Sequence, residues 1–149
     1  MTAGEYCNRE VVITGQNASV TEAAMLMRQH HVGDLVVVKK QGEKTLPIGI
    51  ITDRDIVVEV IAQKSDPDSL IIKDIMSTGV ITVEEKETLL DTLAIMQNHC
   101  VRRIIVVDGQ GNLQGLLSAD DAIELIAEAM NNLTKLVKQE ITREEKEHS

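Results

Sequence analysis

Two copies of one short pattern constrain this chain more than anything else in it. Gly49-Ile50-Ile51-Thr52-Asp53-Arg54-Asp55 places a glycine, two branched apolar residues, a hydroxyl residue and, three positions on, an aspartate. Gly115-Leu116-Leu117-Ser118-Ala119-Asp120-Asp121 repeats the plan. Each copy follows an apolar run, Leu35-Val36-Val37-Val38 in the first and Ile104-Ile105-Val106-Val107 in the second. An offset of 69 residues aligns Val32 with Val101, Ser19 with Thr88, Glu22 with Asp91 and Met27 with Met96. The motif glycines are 66 apart, so the first copy carries three extra residues in its Lys39 to Leu46 loop. A repeat of this length, present twice, suits a duplicated α/β unit with a pseudo-twofold axis rather than a solenoid.

Local signals predict a β-α-β-β-α order in each copy. Val11 to Thr14 is short and β-branched, which suits a strand, and Gly15-Gln16-Asn17 ends it. Ser19-Val20-Thr21-Glu22 is a capping box, so a helix is expected to start there, bury Val20, Ala23, Ala24 and Met27, and stop near His30-His31. Leu35 to Val38 and Pro47 to Thr52 are the next two strands. A second helix is expected from about Asp53 through Ile56, Val57, Val60 and Ile61. In the second copy Val80 to Val83 is the strand, and Thr88 to Asp91 caps a helix that buries Leu89, Leu93 and Met96. Asp108-Gly109-Gln110-Gly111-Asn112 is a tight turn. The expected division is 1–66 for the first unit, 67–130 for the second, and 131–149 for a helical extension and charged tail.

Composition narrows the class. A chain of 149 residues with 43% hydrophobic and 26% charged residues reads as globular. Phe and Trp are absent and Tyr6 is the single aromatic, so the core has to be aliphatic, with Met25, Met27, Met76 and Met96 as filler. A net charge of −9 and no stacking platform argue against nucleic acid as a partner. Nothing in the sequence reads as a signal peptide or a membrane span, so a cytoplasmic protein with two reduced thiols, Cys7 and Cys100, is expected.

With these residues the chain resembles a CBS-domain pair, the tandem unit also called a Bateman module. The resemblance rests on both Gly-x-x-Thr/Ser-x-x-Asp stretches, Lys73-Asp74-Ile75-Met76 before the second unit, and Val101-Arg102-Arg103 leading into Ile104-Ile105-Val106-Val107-Asp108. It covers essentially residues 5 to 130 and implies two α/β units packed sheet to sheet about a pseudo-twofold axis, with two clefts for adenosine-containing ligands. By resemblance, Asp55 and Asp121 bind ribose hydroxyls, and Thr52 and Ser118 hold the ribose or phosphate side. Adenine lies near Val11 and Val12 in one cleft and near Val80 and Ile81 in the other. Arg102 and Arg103 match positions that often face phosphate, whereas their first-unit equivalents, Gly33 and Asp34, offer no cation; Arg54 is the cation nearest Asp55. Ile50, Val101 and Leu116 complete the implied lining. Independently of the resemblance, a carboxylate suits a vicinal diol and a helix start suits phosphate. Thr52-x-x-Asp55 and Ser118-x-x-Asp121 also read as capping boxes.

The expected function is a regulatory module that binds AMP, ADP, ATP or S-adenosylmethionine, requires no cofactor, and signals through assembly or a protein partner. A structural dimeric adaptor with empty clefts and a small nucleotide-acting enzyme are the alternatives. Catalysis is not expected, because no nucleophile or metal motif accompanies Asp53, Asp55, Asp120 and Asp121. His30-His31 and His99-Cys100 occupy matching positions, but no chelating spacing exists within either unit, so they read as polar ends of equivalent helices. Ile123, Ile126, Met130, Leu133 and Val137 are spaced 3, 4, 3 and 4, which predicts a helix to about Glu140 whose second half packs on another subunit, and hence a homodimer or higher homo-oligomer. Thr142 to Ser149 is expected to fray.

Overall fold

The computed structural model describes residues 1–148. Met1–Leu117 forms one compact unit, and the chain from Ser118 onward forms another. In the first unit the elements are α1 (Ala3–Tyr6), β1 (Ile13–Thr14), α2 (Val20–His30), β2 (Asp34–Gln41), β3 (Lys44–Thr52), α3 (Asp53–Ile56), β4 (Thr82–Glu84), α4 (Leu89–Asn98), β5 (Arg103–Val107) and β6 (Leu113–Ser118), whose last residue opens the second unit. Two three-stranded sheets result, ordered β1-β2-β3 and β4-β5-β6. β1 runs parallel to β2, β4 runs parallel to β5, and β2 pairs antiparallel with β3.

Strand alternation explains where the core sits. Leu35 and Val37 of β2 face α2 and pack with Ala23, Met27, Ile51 and Ile72. Val36 and Val38 point to the other face and meet Ile105, Val107 and Leu116 of the second sheet. The two sheets therefore pack face to face through aliphatic side chains, each stabilising the fold by about 1.5–3 kcal/mol when fully buried. Both faces of β2 and β5 are covered, which is why their sequences are unbroken apolar runs. Pro47 is tolerated in β3 because the register shifts between Val37 and Val38, so that Val37 opposes Gly49 while Val38 opposes Pro47.

The helix ends repeat as closely as the strands. Ser19 and Glu22 form a reciprocal capping box on α2. On α4 the Thr88 hydroxyl accepts from Asp91 N at 3.2 Å, while Thr88 N donates to Glu87 at 3.3 Å. Thr92, buried where α2 has Ala23, satisfies its hydroxyl by donating to Thr88 O at 2.8 Å. His31 and Cys100, at equivalent positions, both take left-handed conformations, with φ of 54° and 53°. Among the described residues no group of three or more His, Cys, Asp or Glu is placed to hold a metal.

Several local expectations are corrected. Ala24 and Met25 are exposed rather than buried, because the inward face of α2 is the narrower stripe of Val20, Ala23 and Met27. The helix after Thr52 is α-helical only to Ile56 and then widens into a π-helical turn, Val57–Ile61, closed by Ala62 N donating to Val57 O at 2.9 Å. β1 and β4 are only two and three residues long and omit Val11, Val12, Val80 and Ile81.

The segment leading into each repeat is hydrogen-bonded to the other repeat. Ala3 N and Gly4 N donate to Glu87 O and Glu85 O at 2.8 and 2.9 Å, and Asn8 pairs with Leu116. In the equivalent place Val20 N donates to Leu70 O at 3.0 Å, Ile72 N to Ala18 O at 2.8 Å, and Ser77 pairs with Ile50. The repeats are thus stitched together by exchanged lead segments, and Thr45 N donating to Asn112 Oδ1 at 3.0 Å joins their hairpins as well.

In the second unit, α5 (Ala119–His148) is a single helix. Ser118 caps it, its hydroxyl accepting from Asp121 N at 3.1 Å. Helix continues beyond Glu140 through the stretch expected to fray; Ser149 lies outside the described residues. No Gly or Pro stops it, and Glu, Lys and Arg are good helix formers. Among the described residues no helix is long and apolar enough to cross a membrane.

Candidate functional site

Thr52 ends β3 and Asp55 lies in the first turn of α3, so the two side chains sit at one strand-to-helix corner. They form a reciprocal box: Thr52 N donates to Asp55 Oδ2 at 2.9 Å, and Asp55 N donates to Thr52 Oγ1 at 3.1 Å. Both residues are half-buried. A carboxylate has about four lone-pair positions, so holding one backbone N–H leaves acceptor capacity for a diol. Capping and ligand binding are compatible at this corner.

An open cleft of about 430 Å³ lies beside it, lined by Asp55, Glu59, Ser65, Leu70, Asp74, Ile75 and Ser77. Its walls come from both repeats. Asp55 and Glu59 belong to the helix after the first motif, whereas Leu70 to Ser77 is the lead segment of the second repeat. The walls are held by Ile50 and Ser77, whose backbones exchange hydrogen bonds of 3.2 and 2.9 Å. Three carboxylates in the lining give the cleft an acidic field, favourable to cations and unfavourable to phosphate.

The motif glycine has a structural cause here. A Cβ on Gly49 would lie 2.9 Å from both Ser77 O and Met76 Sδ, and one on Gly115 would lie 2.5 Å from Cys7 Sγ and 2.7 Å from Asn8 O. Each glycine is needed because the lead segment of the other repeat crosses directly over it. Burial and the contact with Gly4 O go with this crossing at Cys7, whose thiol pKa is pushed up chiefly by desolvation, with Arg9 opposing.

The other expected residues distribute as follows. Val11, Ile50 and Val80 pack on the core between the sheets, and Leu116 is buried within it. Val12 O accepts from Val36 N at 3.1 Å and Ile81 O from Ile105 N at 3.2 Å, so both hold a strand edge. Gly33 O accepts from Asp53 N at 2.9 Å, beside the Thr52 corner. Arg54 is exposed on α3, and Val101 N donates to Met96 O at 3.0 Å after α4. Arg103 is exposed but paired, its Nε 2.6 Å from Asp34 Oδ2. Arg102 is exposed. Ser118 and Asp121 form the equivalent corner at the start of α5. Sequence reasoning did not single out Glu59, Asp74 or Ser77; the signal was present in the Lys73 to Met76 lead and in the glycine that leaves room for it.

Comparisons with known proteins agree with this architecture. The sequence pattern described as CBS domain matches residues 3–62 and 72–128. The uncharacterized protein MK0525 of Methanopyrus kandleri is 37% identical over 125 residues, covering 84% of this chain and 62% of that protein, so the chain spans about three-fifths of that relative. The CBS domain protein PAE2072 from Pyrobaculum aerophilum, solved in complex with AMP, is 26% identical with a TM-score of 0.71, over 81% of this chain and 89% of that one. The CBS domain pair of protein MJ0100, in complex with 5′-methylthioadenosine and S-adenosyl-L-methionine, is 25% identical with a TM-score of 0.73, over 87% of this chain and 98% of that one.

Proposed function

The chain belongs to the CBS-domain family, and from that premise we propose that it is a regulatory module whose two hydroxyl-carboxylate corners bind an adenosyl ligand: AMP, ADP, ATP or S-adenosylmethionine. The observation that carries the reading is the Thr52-Asp55 corner opening on a cleft whose far wall, Leu70 to Ser77, belongs to the other repeat. A ligand there touches both repeats, so its binding free energy acts on the packing between them. That is a means of signalling without chemistry, through assembly or a protein partner. The complexes of PAE2072 with AMP and of the MJ0100 pair with S-adenosyl-L-methionine support the ligand class.

The two corners differ in the charge they offer. Asp55, Glu59 and Asp74 line the first cleft, which suits the sulfonium and ammonium of S-adenosylmethionine better than a phosphate. By that contrast phosphorylated ligands are assigned to the other corner, Ser118 and Asp121 at the start of α5, where a helix N-terminus favours an anion.

One observation favours a second reading, a structural adaptor with empty clefts: the Thr52-Asp55 box is complete within the protein and caps α3 without any ligand. A thermal-shift panel of AMP, ADP, ATP and S-adenosylmethionine, with GMP as control, separates the two. A ligand that binds only the folded state, at 100 times its dissociation constant, adds about 2.7 kcal/mol, or about 5–10 °C for a chain of this size. A shift of that order with an adenosyl compound and not with GMP supports the sensor. No shift with any of them supports the adaptor.

A further inference from the structure

α5 carries an apolar stripe that nothing within its own helix covers. Ile123, Ile126, Met130, Leu133 and Val137 are 37% to 65% exposed, and their 3,4,3,4 spacing keeps them in one seam over about 21 Å of helix. The positions flanking the seam on either side are Ala127 and Thr134, and Ala129 and Leu136. None is charged, although the chain as a whole carries a net −9. A face without charge on so acidic a protein can be laid against its own copy without like-charge repulsion, which makes a second copy of this chain the fitting occupant.

The charged residues that continue the seam spacing beyond Val137, Glu140 and Glu144, decide the orientation. Two parallel copies in register would face Glu140 with Glu140 and Glu144 with Glu144 in the continuation of the seam. An antiparallel pair with its two-fold axis between Asn131 and Asn132 removes each of these repulsions. It sets Met130 against the partner's Leu133 and Val137 against the partner's Ile126, so each layer is apolar. Glu140 falls opposite the partner's Ile123, at the end of the apolar seam, where its carboxylate reaches water.

We propose that α5 pairs with α5 of a second copy as an antiparallel two-helix seam, through an isologous interface. It is independent of which ligand the CBS pair binds. Light scattering on the full chain is expected to show that Leu133→Asp halves the mass, circular dichroism remaining that of a folded protein because Leu133 is exposed within its own chain. Spin labels on Glu145→Cys, in a Cys7→Ser and Cys100→Ser background, are expected about 40 Å apart, since each lies 13.5 residues from the axis at 1.5 Å per residue. A separation near the interaxial spacing of about 8–10 Å would mean a parallel pair and overturn the orientation. A single-chain mass of 16.4 kDa for the unsubstituted protein, or a mass that Leu133→Asp leaves unchanged, overturns the seam.

Discussion

Arg103 and Asp34 occupy the same position in the two repeats, and they form an ion pair, Arg103 Nε lying 2.6 Å from Asp34 Oδ2. A pseudo-twofold relation brings equivalent positions together, so two identical residues here would repel or waste the contact. Divergence of one to a cation and the other to an anion makes it attractive. The side chains are 41% and 23% exposed, which keeps the expected contribution to about 0.2–1 kcal/mol.

Reversing the pair tests this. Arg103→Asp alone sets two carboxylates together and Asp34→Arg alone sets two guanidinium groups together, so each lowers the urea midpoint. The double variant is expected to recover most of the loss, as a coupled pair does in a double-mutant cycle. Additive losses would mean that the contact contributes nothing.

Gly49→Ala and Gly115→Ala are both expected to destabilise by about 1–3 kcal/mol in urea unfolding, the usual range for overpacking. Gly115→Ala is the more damaging, because its Cβ would meet Asn8 O at 2.7 Å and the Cys7 sulfur at 2.5 Å. Gly109→Ala is the control, with nothing within 4 Å of the added carbon and no positive φ. Equal effects at all three positions would show that the lead segments do not lie across the motif glycines.

Asp108 provides a pH-dependent test. Hydrogen bonds from Asn112 N and Gln110 N, with Lys44 nearby, hold its pKa below the ordinary carboxylate value. A depressed folded pKa means that the turn's stabilisation is present above the unfolded carboxylate pKa of about 3.9 and is lost as pH falls through the lower folded value. Asp108→Ala should therefore lower the melting temperature at pH 6, and the difference should shrink as the pH is taken below about 3.9. A difference that stays constant with pH would assign the effect to something other than the ionised carboxylate.

What the sequence revealed and what it hid have different physical origins. The repeat, the apolar runs of β2 and β5 and the caps at Ser19, Thr52, Thr88 and Ser118 are local patterns, each readable from a few neighbouring residues. The exchanged lead segments are not local: Gly4 meets Glu85, and Asn8 meets Leu116, through backbone groups that leave no trace in side-chain periodicity. The acidic lining of the Asp55 cleft stayed hidden for the same reason, since Asp74 reaches it from the other repeat. The π-helical turn that carries Glu59 has no distinctive composition. The 69-residue offset did foretell that Arg103 and Asp34 are equivalents, though treating Asp34 only as a missing cation overlooked that equivalents can meet.

The central claim is that the motif carboxylates read the ribose of an adenosyl ligand, with phosphate handled chiefly at Asp121. Titration calorimetry of AMP into the intact protein, Asp55→Ala and Asp121→Ala tests it most directly, circular dichroism first confirming that both variants are folded. Losing a hydrogen bond to a charged group costs about 1.5–3 kcal/mol, so Asp121→Ala should weaken AMP at least tenfold, and more than Asp55→Ala does. Unchanged AMP affinity in both variants, or no binding to the intact protein, would contradict the account; a greater loss from Asp55→Ala would reverse the assignment of phosphate.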